Sequence, residues 1–413
     1  MKNKSSAHSY KVYILAFAIF CLCMPSLGSQ SCIDSLSPIA DFSRRNENSD
    51  SIKRFSFIRR FKNTVDMIRL RGHITRTSPK ARVRKQCYGY CSFTSTAVNL
   101  ESYLIREGRL EKGATLLDSN LLMAHLYLRY HESWGLNPQA LPSILSGATF
   151  TEALNALKLT PVGYLTTDQV EKIEVFGSIN SFETGFLKWV HKQLKRTDRW
   201  DFARSLYAED NLRGFITEIS GYWQTYLKNL TGVDFELNEI DVSDLYINRQ
   251  VYLGGYGDYS DIPVEERPYA LRQSFRLLDT NLDDRMSDPE RQIYHVRDAP
   301  LEQRFLGEAE IVRGADFVQD ILKRFSRSIL GGEHVTLNLR WSAETGFHTE
   351  RHAITLTGVV INPETNIFEG FIYQNSHSPW YGLLGEGFLS RKDFEDSMDI
   401  VSSFTILSED EAN

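Results

Sequence analysis

A helical pattern of apolar positions begins at Cys91. Phe93, Ala97, Leu100 and Leu104 recur at three- and four-residue steps, and Gly108 supplies a C-terminal stop. Similar periodicity predicts helices over Ser119 to Arg129, Thr151 to Leu157, Phe186 to Leu194, Trp200 to Tyr207 and Leu212 to Leu227. A further helix is predicted over Ser56 to Arg71, with Thr77-Ser78-Pro79 as punctuation after it. Late in the chain the pattern changes. HVTLNLRW, HAITLTGVVI and FEGFIYQN are rich in β-branched and aromatic residues and bounded by turn signals, so they read as strands. The chain runs from mostly α to mostly β, which predicts an α+β fold with two unlike halves.

The length of 413 residues suggests two to three domains, or one large domain with an insertion. Hydrophobic residues at 42% and charged residues at 24% are ordinary for a globular chain. The net charge of −6 does not suggest a nucleic-acid binder. That charge is unevenly spread. Ser43 to Lys85 holds 14 Lys/Arg against 3 Asp/Glu, a local +11, so the remainder carries −17. A basic arm on an acidic body is either a solvated leader or a detachable segment that docks on that body.

The N-terminus changes the picture of compartment. Basic residues precede an apolar run, Val12 to Met24, followed by Pro25 and small residues. This is the pattern of a secretory signal peptide cut after Gly28 or Ser29. The run is short of the roughly 20 residues that a membrane span needs, and no other run is long enough. A secreted or periplasmic protein follows, with no membrane association once the signal is removed. Export removes Cys21 and Cys23 and leaves Cys32, Cys87 and Cys91. An odd number in an oxidising compartment points to a free reactive thiol. Cys32 and Cys87 could pair, which would leave Cys91 free. The C-x₃-C spacing of Cys87 and Cys91 lacks the second Cys or His pair of a metal site.

A cysteine becomes a strong nucleophile when its thiolate is stabilised, by a helix N-terminus and a neighbouring imidazolium. Cys91 opens its predicted helix. His352 begins the strand HAITLTGVVI, and Asn375 ends the next one. A turn at Asn362-Pro363-Glu364 would fold these strands antiparallel and bring His352 beside Asn375. The Asn side chain can then accept the imidazole proton and fix the tautomer. His348 is a rival base outside the strand pattern.

These segments resemble the papain-like cysteine peptidases. The likeness rests on QCYGYCSFTSTAVNLES, with Leu100 and Glu101 nine and ten residues after Cys91, and on HAITLTG and QNSHSPWYG…GEGF. LLDSNLLMAHLYL and SGATFTEALNALKLTPVGYL are similar to intervening family segments. The resemblance implies a two-lobed fold, with a helical lobe carrying the Cys and a β-rich lobe carrying the His and Asn. It implies Cys91 as nucleophile, His352 as general base and acid, Asn375 as its orienter and Gln86 as an oxyanion donor. It implies a protein or peptide substrate and no cofactor for catalysis. Three departures stand out. Ser92 and His377 replace the family's tryptophans, Gln86 lies one residue closer to the cysteine, and 261 residues separate Cys91 from His352 where about 130–150 is usual. An inactive papain-like binding relative and a Cys–His acyltransferase are the alternative readings.

The excess length contains D-T-N-L-D-D-R-M-S-D-P-E from Asp279. This resembles an EF-hand loop, with Asp279, Asn281, Asp283, Ser287 and Glu290 at the oxygen-bearing positions and the Arg285 carbonyl at the seventh. Asp284 takes the place of the usual glycine. The segment is either a structural Ca²⁺ site or an acidic surface loop. The expected organisation is a signal peptide (1–28), a basic arm or propeptide (29–80), a helical half of the peptidase domain (81–165), a mostly helical insertion (166–310) and a β-rich half (311–413).

Overall fold

The computed structural model describes residues 64–76, 79–86, 90–124, 153, 161–195, 212–253, 315–340, 351–376, 383–396 and 400–408. The EF-hand-like loop, Cys32, Cys87, His348 and His377 lie outside them, as do the helices predicted over 200–207 and most of 151–157. The fold is α+β: helices and antiparallel sheets.

Helix α1 spans Cys91–Arg106. It ends as the sequence predicts. Gly108 takes φ 69°, its N–H reaches the Ile105 carbonyl at 3.2 Å, and Arg109 N–H reaches the Leu104 carbonyl at 2.9 Å. This double bond around a left-handed glycine closes the last turn. The apolar positions Phe93, Ala97, Leu100 and Leu104 are all fully buried. So are most of the polar ones, because α1 lies between the other helices and the main sheet.

On one side α1 shares a core with α2 (Thr167–Glu174), α3 (Ile179–Lys195) and α4 (Leu212–Thr231). A capping box between Thr166 and Gln169 starts α2. Helix α4 buries Phe215, Ile219, Trp223 and Leu227, a four-residue period that keeps them on one face. Burying each such side chain is worth about 1.5–3 kcal/mol. α3 begins well before the predicted Phe186, and α4 runs past the predicted Leu227. Strands β2 (Thr115–Leu116), β3 (Val162–Leu165) and β4 (Asn238–Ile240) form a small antiparallel sheet beside these helices.

On its other side α1 meets the main sheet. Its strands are β1 (Ile74–Thr75), β5 (Tyr246–Leu253), β6 (Val335–Arg340), β7 (Arg351–Ile361), β8 (Phe368–Gln374), β9 (Glu386–Ser390) and β10 (Ile400–Leu407). Among the described residues the order is β5-β10-β6-β7-β8-β9, and β1 pairs with the far end of β7. Helix α5 (Ala315–Leu330) covers the opposite face, where Ile321, Phe325 and Ile329 meet Val335, Leu337, Ile354 and Leu356. The short helix α6 (Arg391–Asp396) places Phe394 in the same core.

Two features differ from the expected organisation in kind. Residues 166–253 supply both helices and strands, and they share the core of α1, with β5 lying in the main sheet. Residues 64–76, counted in the basic arm, form a helical turn and β1, and bury Met67 and Leu70 against Val360 and Ile372. Arg76 forks onto Glu386, and His73 contacts Glu369 at 3.0 Å.

Candidate active site

Three elements converge. Helix α1 begins at Cys91 with Tyr90 as its N-cap, which makes no side-chain capping bond. Phe93 N–H takes the Tyr90 carbonyl at 3.1 Å, Ser92 N–H turns to the Cys91 sulfur, and the positive end of the helix falls there. Strands β7 and β8 form the expected hairpin, antiparallel, with register shifts between Leu356 and Gly358 and between Val360 and Ile361. It sets His352 against Asn375, with Nε2 of the ring 2.9 Å from Oδ1 of Asn375. An amide oxygen can only accept, so Nε2 carries the proton and Nδ1 is left for the cysteine.

Cys91 is a free thiol, part-buried, and hydrogen-bonded to His352. Burial acts to raise its pKa. The hydrogen bond and charge of His352 outweigh that, helped by backbone N–H groups of Ala353 and Ser92, and the thiol is more acidic than an ordinary cysteine. His352 and Asn375 are buried, at 7% and 1% exposure, so little water competes for their bond.

The register of α1 on the sheet is fixed by polar contacts. Ser95 lies one turn beyond Cys91, and Thr355 lies three residues beyond His352. Thr355 donates its hydroxyl to the Ser95 carbonyl at 3.0 Å, and Thr336 adds a bond to the same oxygen at 3.4 Å. Asn99 donates to Thr336 Oγ1 and to the carbonyls of His334 and Phe404. This seam of small polar residues holds α1, and Cys91 with it, at one position relative to the imidazole.

Gln86 lies in an irregular stretch of the described residues 79–86. Its N–H donates to the Ser376 carbonyl at 2.8 Å, and its side-chain Oε1 accepts from the Ser376 hydroxyl. Among the described residues Nε2, the donor end of the amide, takes no partner. Gln86, Ser376, Asn375, His352 and Cys91 are thus linked in a continuous run.

The segment before Gln86 is held by a buried charge cluster. Arg84, with 1% exposure, donates to Asp118 at 2.5 Å and to Glu101 at 2.7 Å. Glu101 also accepts from Arg82 N–H, Thr115 Oγ1 and Leu116 N–H. Arg82 bonds Thr115, Asn180 and Glu183. Gln374 Nε2 reaches the Arg82 carbonyl at 2.7 Å. Burial pushes Asp118 up to about 7, with Glu183 adding to the effect and Arg84 opposing it. In Glu101 the neighbouring arginines outweigh burial, so its carboxyl lies below the usual range. Glu101 occupies the position singled out by resemblance, but its partners Arg82 and Arg84 count in the sequence only as charges of a basic arm.

Gly385, in the GEGF segment, lies where this segment meets the β8–β9 turn. Its φ is 82°, its carbonyl accepts from Asn375 N–H, and a Cβ there would fall 2.1 Å from a Val83 methyl. Only glycine allows that approach.

The residues predicted as ligands of Ca²⁺, Asp279, Asn281, Asp283, Arg285, Ser287 and Glu290, lie outside the described residues. Among the described residues no helix is long and apolar enough to cross a membrane.

No protein-family model matches the chain, and no curated protein does. Among solved structures, PepW from Lactobacillus rhamnosis HN001 is similar at 11% identity, with 91% of this chain and 93% of that chain covered. Its TM-score of 0.35 is too low to define a shared fold.

Proposed function

We propose that this chain is an exported cysteine peptidase of the papain-like kind, hydrolysing peptide bonds through Cys91, His352 and Asn375. The observation that carries the reading is the single hydrogen-bonded run from a thiol at a helix N-terminus, through a buried histidine, to a buried asparagine. Its order along the chain, Gln, Cys, His, Asn, adds to that support.

The chemistry follows from the roles. The Cys91 thiol gives its proton to His352, and the thiolate attacks the peptide carbonyl carbon. The carbonyl π electrons move to oxygen, and the oxyanion is met by the Gln86 amide and the Cys91 backbone N–H. His352 then returns the proton to the leaving amine as the C–N bond breaks. Water, deprotonated by His352, attacks the acyl-enzyme and releases the acid and the thiolate. Loss of one oxyanion donor costs about 10²–10³ in rate in comparable sites.

The test is the pH dependence of Cys91 alkylation by iodoacetamide in the chain lacking residues 1–28. A paired thiolate labels rapidly at pH 5, and the His352→Ala variant loses that labelling. Labelling that rises only near pH 8.5 in both makes Cys91 an ordinary thiol and the chain a binding relative. Product analysis with an added amine separates hydrolysis from acyl transfer.

A further inference from the structure

We infer that Asn180 of α3 is a positioning residue, whose side-chain amide takes the place of a neighbouring strand and holds the segment that presents Gln86. The inference rests on the peptidase reading. It brings in a residue from the part of the chain expected to be an insertion.

In an extended segment the backbone N–H and C=O groups of successive residues point to opposite sides, where a strand on each side can receive them. The bonds of residues 82–86 alternate in this way. The Arg82 carbonyl accepts from Gln374 Nε2 at 2.7 Å, and Gln86 N–H donates to the Ser376 carbonyl at 2.8 Å. These even-numbered residues turn to the end of β8. The odd-numbered ones turn the other way. The Val83 carbonyl accepts from Asn180 Nδ2 at 2.8 Å, and Lys85 N–H donates to Asn180 Oδ1 at 3.2 Å. Among the described residues no named strand pairs with that side, and one side chain fills the place.

A carboxamide suits the task because it carries the donor and the acceptor of a peptide group. Its two backbone partners also settle which way it lies. A carbonyl only accepts and a backbone N–H only donates. The amide turned over would set oxygen against oxygen and N–H against N–H. Oδ1 takes a further bond from Arg82 Nη1 at 3.0 Å. Asn180 is 9% exposed, so little water is at hand to replace a bond that is lost. One turn further along α3, Glu183 accepts from Arg82 Nη2 at 2.6 Å. Two residues of α3 are thus committed to this segment.

The Arg84 cluster grips a side chain two residues before Gln86. The Asn180 bond to Lys85 N–H grips the backbone at the residue immediately before it. Without Asn180 the segment is held through β8 on one side only, and the peptide ahead of Gln86 can turn. An oxyanion donor acts only from the right place, and a misplacement of about 1 Å can cost about 10²-fold in rate.

The experiment compares the chain lacking residues 1–28 with Asn180→Ala, Asn180→Asp, Gln86→Ala and the Asn180→Ala/Gln86→Ala double variant, on an N-acylated dipeptide ester. Asn180→Ala is expected to lower kcat by about tenfold with KM little changed, less than the 10²–10³ that loss of the donor itself costs. Asn180→Asp keeps the size and the acceptor but sets an oxygen against the Val83 carbonyl, so it loses at least as much. In the Gln86→Ala background the Asn180 change has no further effect, which damage to the fold at large would not reproduce. Amide hydrogen exchange in peptides spanning 82–86 quickens by about tenfold or more in Asn180→Ala, while iodoacetamide labelling of Cys91 at pH 5 stays as in the parent chain. A kcat equal to the parent's, unchanged exchange over 82–86, or an undiminished loss without Gln86 overturns the positioning role, and acid labelling of Cys91 then leaves the peptidase reading standing. Absence of acid labelling in the parent chain removes both.

Discussion

Arg84 and Glu101 meet 2.7 Å apart with both side chains almost wholly out of solvent. One belongs to the segment that presents Gln86, the other to the helix that presents Cys91. The pair ties the proposed oxyanion donor to the proposed nucleophile, and its charges have no water to fall back on.

Breaking such a pair by removing one partner leaves an uncompensated buried charge. Glu101→Gln is expected to destabilise the fold by about 3–5 kcal/mol. Urea unfolding checks this. A loss below about 1 kcal/mol would show that Asp118 alone satisfies Arg84.

The cluster holds two cations, Arg82 and Arg84, and three carboxyls, Glu101, Asp118 and Glu183. Glu101 receives four donors, so the excess proton belongs on Asp118, whose pKa rises from 3.8 to about 7. Between those values the folded chain holds a proton that the unfolded chain has released. The contribution of Asp118 is therefore fully present below about pH 4 and is lost as pH rises through about 7. Asp118→Asn keeps the neutral form at all pH values. From pH 5 to pH 8 this variant should lose less stability than the parent in urea melts. Parallel losses would place the proton elsewhere.

His334 works in the opposite direction. It is 3% exposed, neither ring nitrogen has a hydrogen-bond partner among the described residues, and burial beside Arg106 lowers its pKa from 6.5 to about 3. Between those values the unfolded chain binds a proton that the folded chain refuses. This contribution is present above about pH 6.5 and is lost as pH falls toward 3. His334→Leu removes the refused proton and the orphaned nitrogens together. It should raise the thermal midpoint at pH 4 more than at pH 7.5, and an equal shift at both would argue against a titrating His334.

The seam between α1 and the sheet makes a separate prediction. Thr355→Val keeps the shape but removes the bond to the Ser95 carbonyl. The stability cost is about 1 kcal/mol. Cys91 alkylation at pH 5 should slow as well, because the helix is freed from the strand that carries His352. Unchanged labelling would assign the alignment to Asn99 and Thr336 alone.

How far the sequence could be read depends on where each element finds its partner. The β7–β8 hairpin was legible because β7 is rich in β-branched residues, β8 in aromatic ones, and one short turn joins them, so local pattern and tertiary pairing agree. Helix α1 was legible from Phe93, Ala97, Leu100 and Leu104, which all face one core. β5 and β10 were not. Each has an ordinary local pattern, and they pair from Ile400 with Leu253 to Leu407 with Tyr246, far apart in the chain. The Arg84 cluster was illegible for a related reason. A net count treats Arg82 and Arg84 as solvated charges, and nothing local reveals carboxyls waiting at 101, 118 and 183.

The position of β10 has a consequence for how the molecule comes into being. It is later in the chain than every other described strand, yet it lies between β5 and β6. Among the described strands β10 is therefore the one that joins β5 to the β6–β9 stretch of the sheet. Cys91 emerges long before, 261 residues ahead of its imidazole. A growing chain carries that thiol before His352 is made, and the last of the described strands is the one that joins β5 to the rest of the sheet.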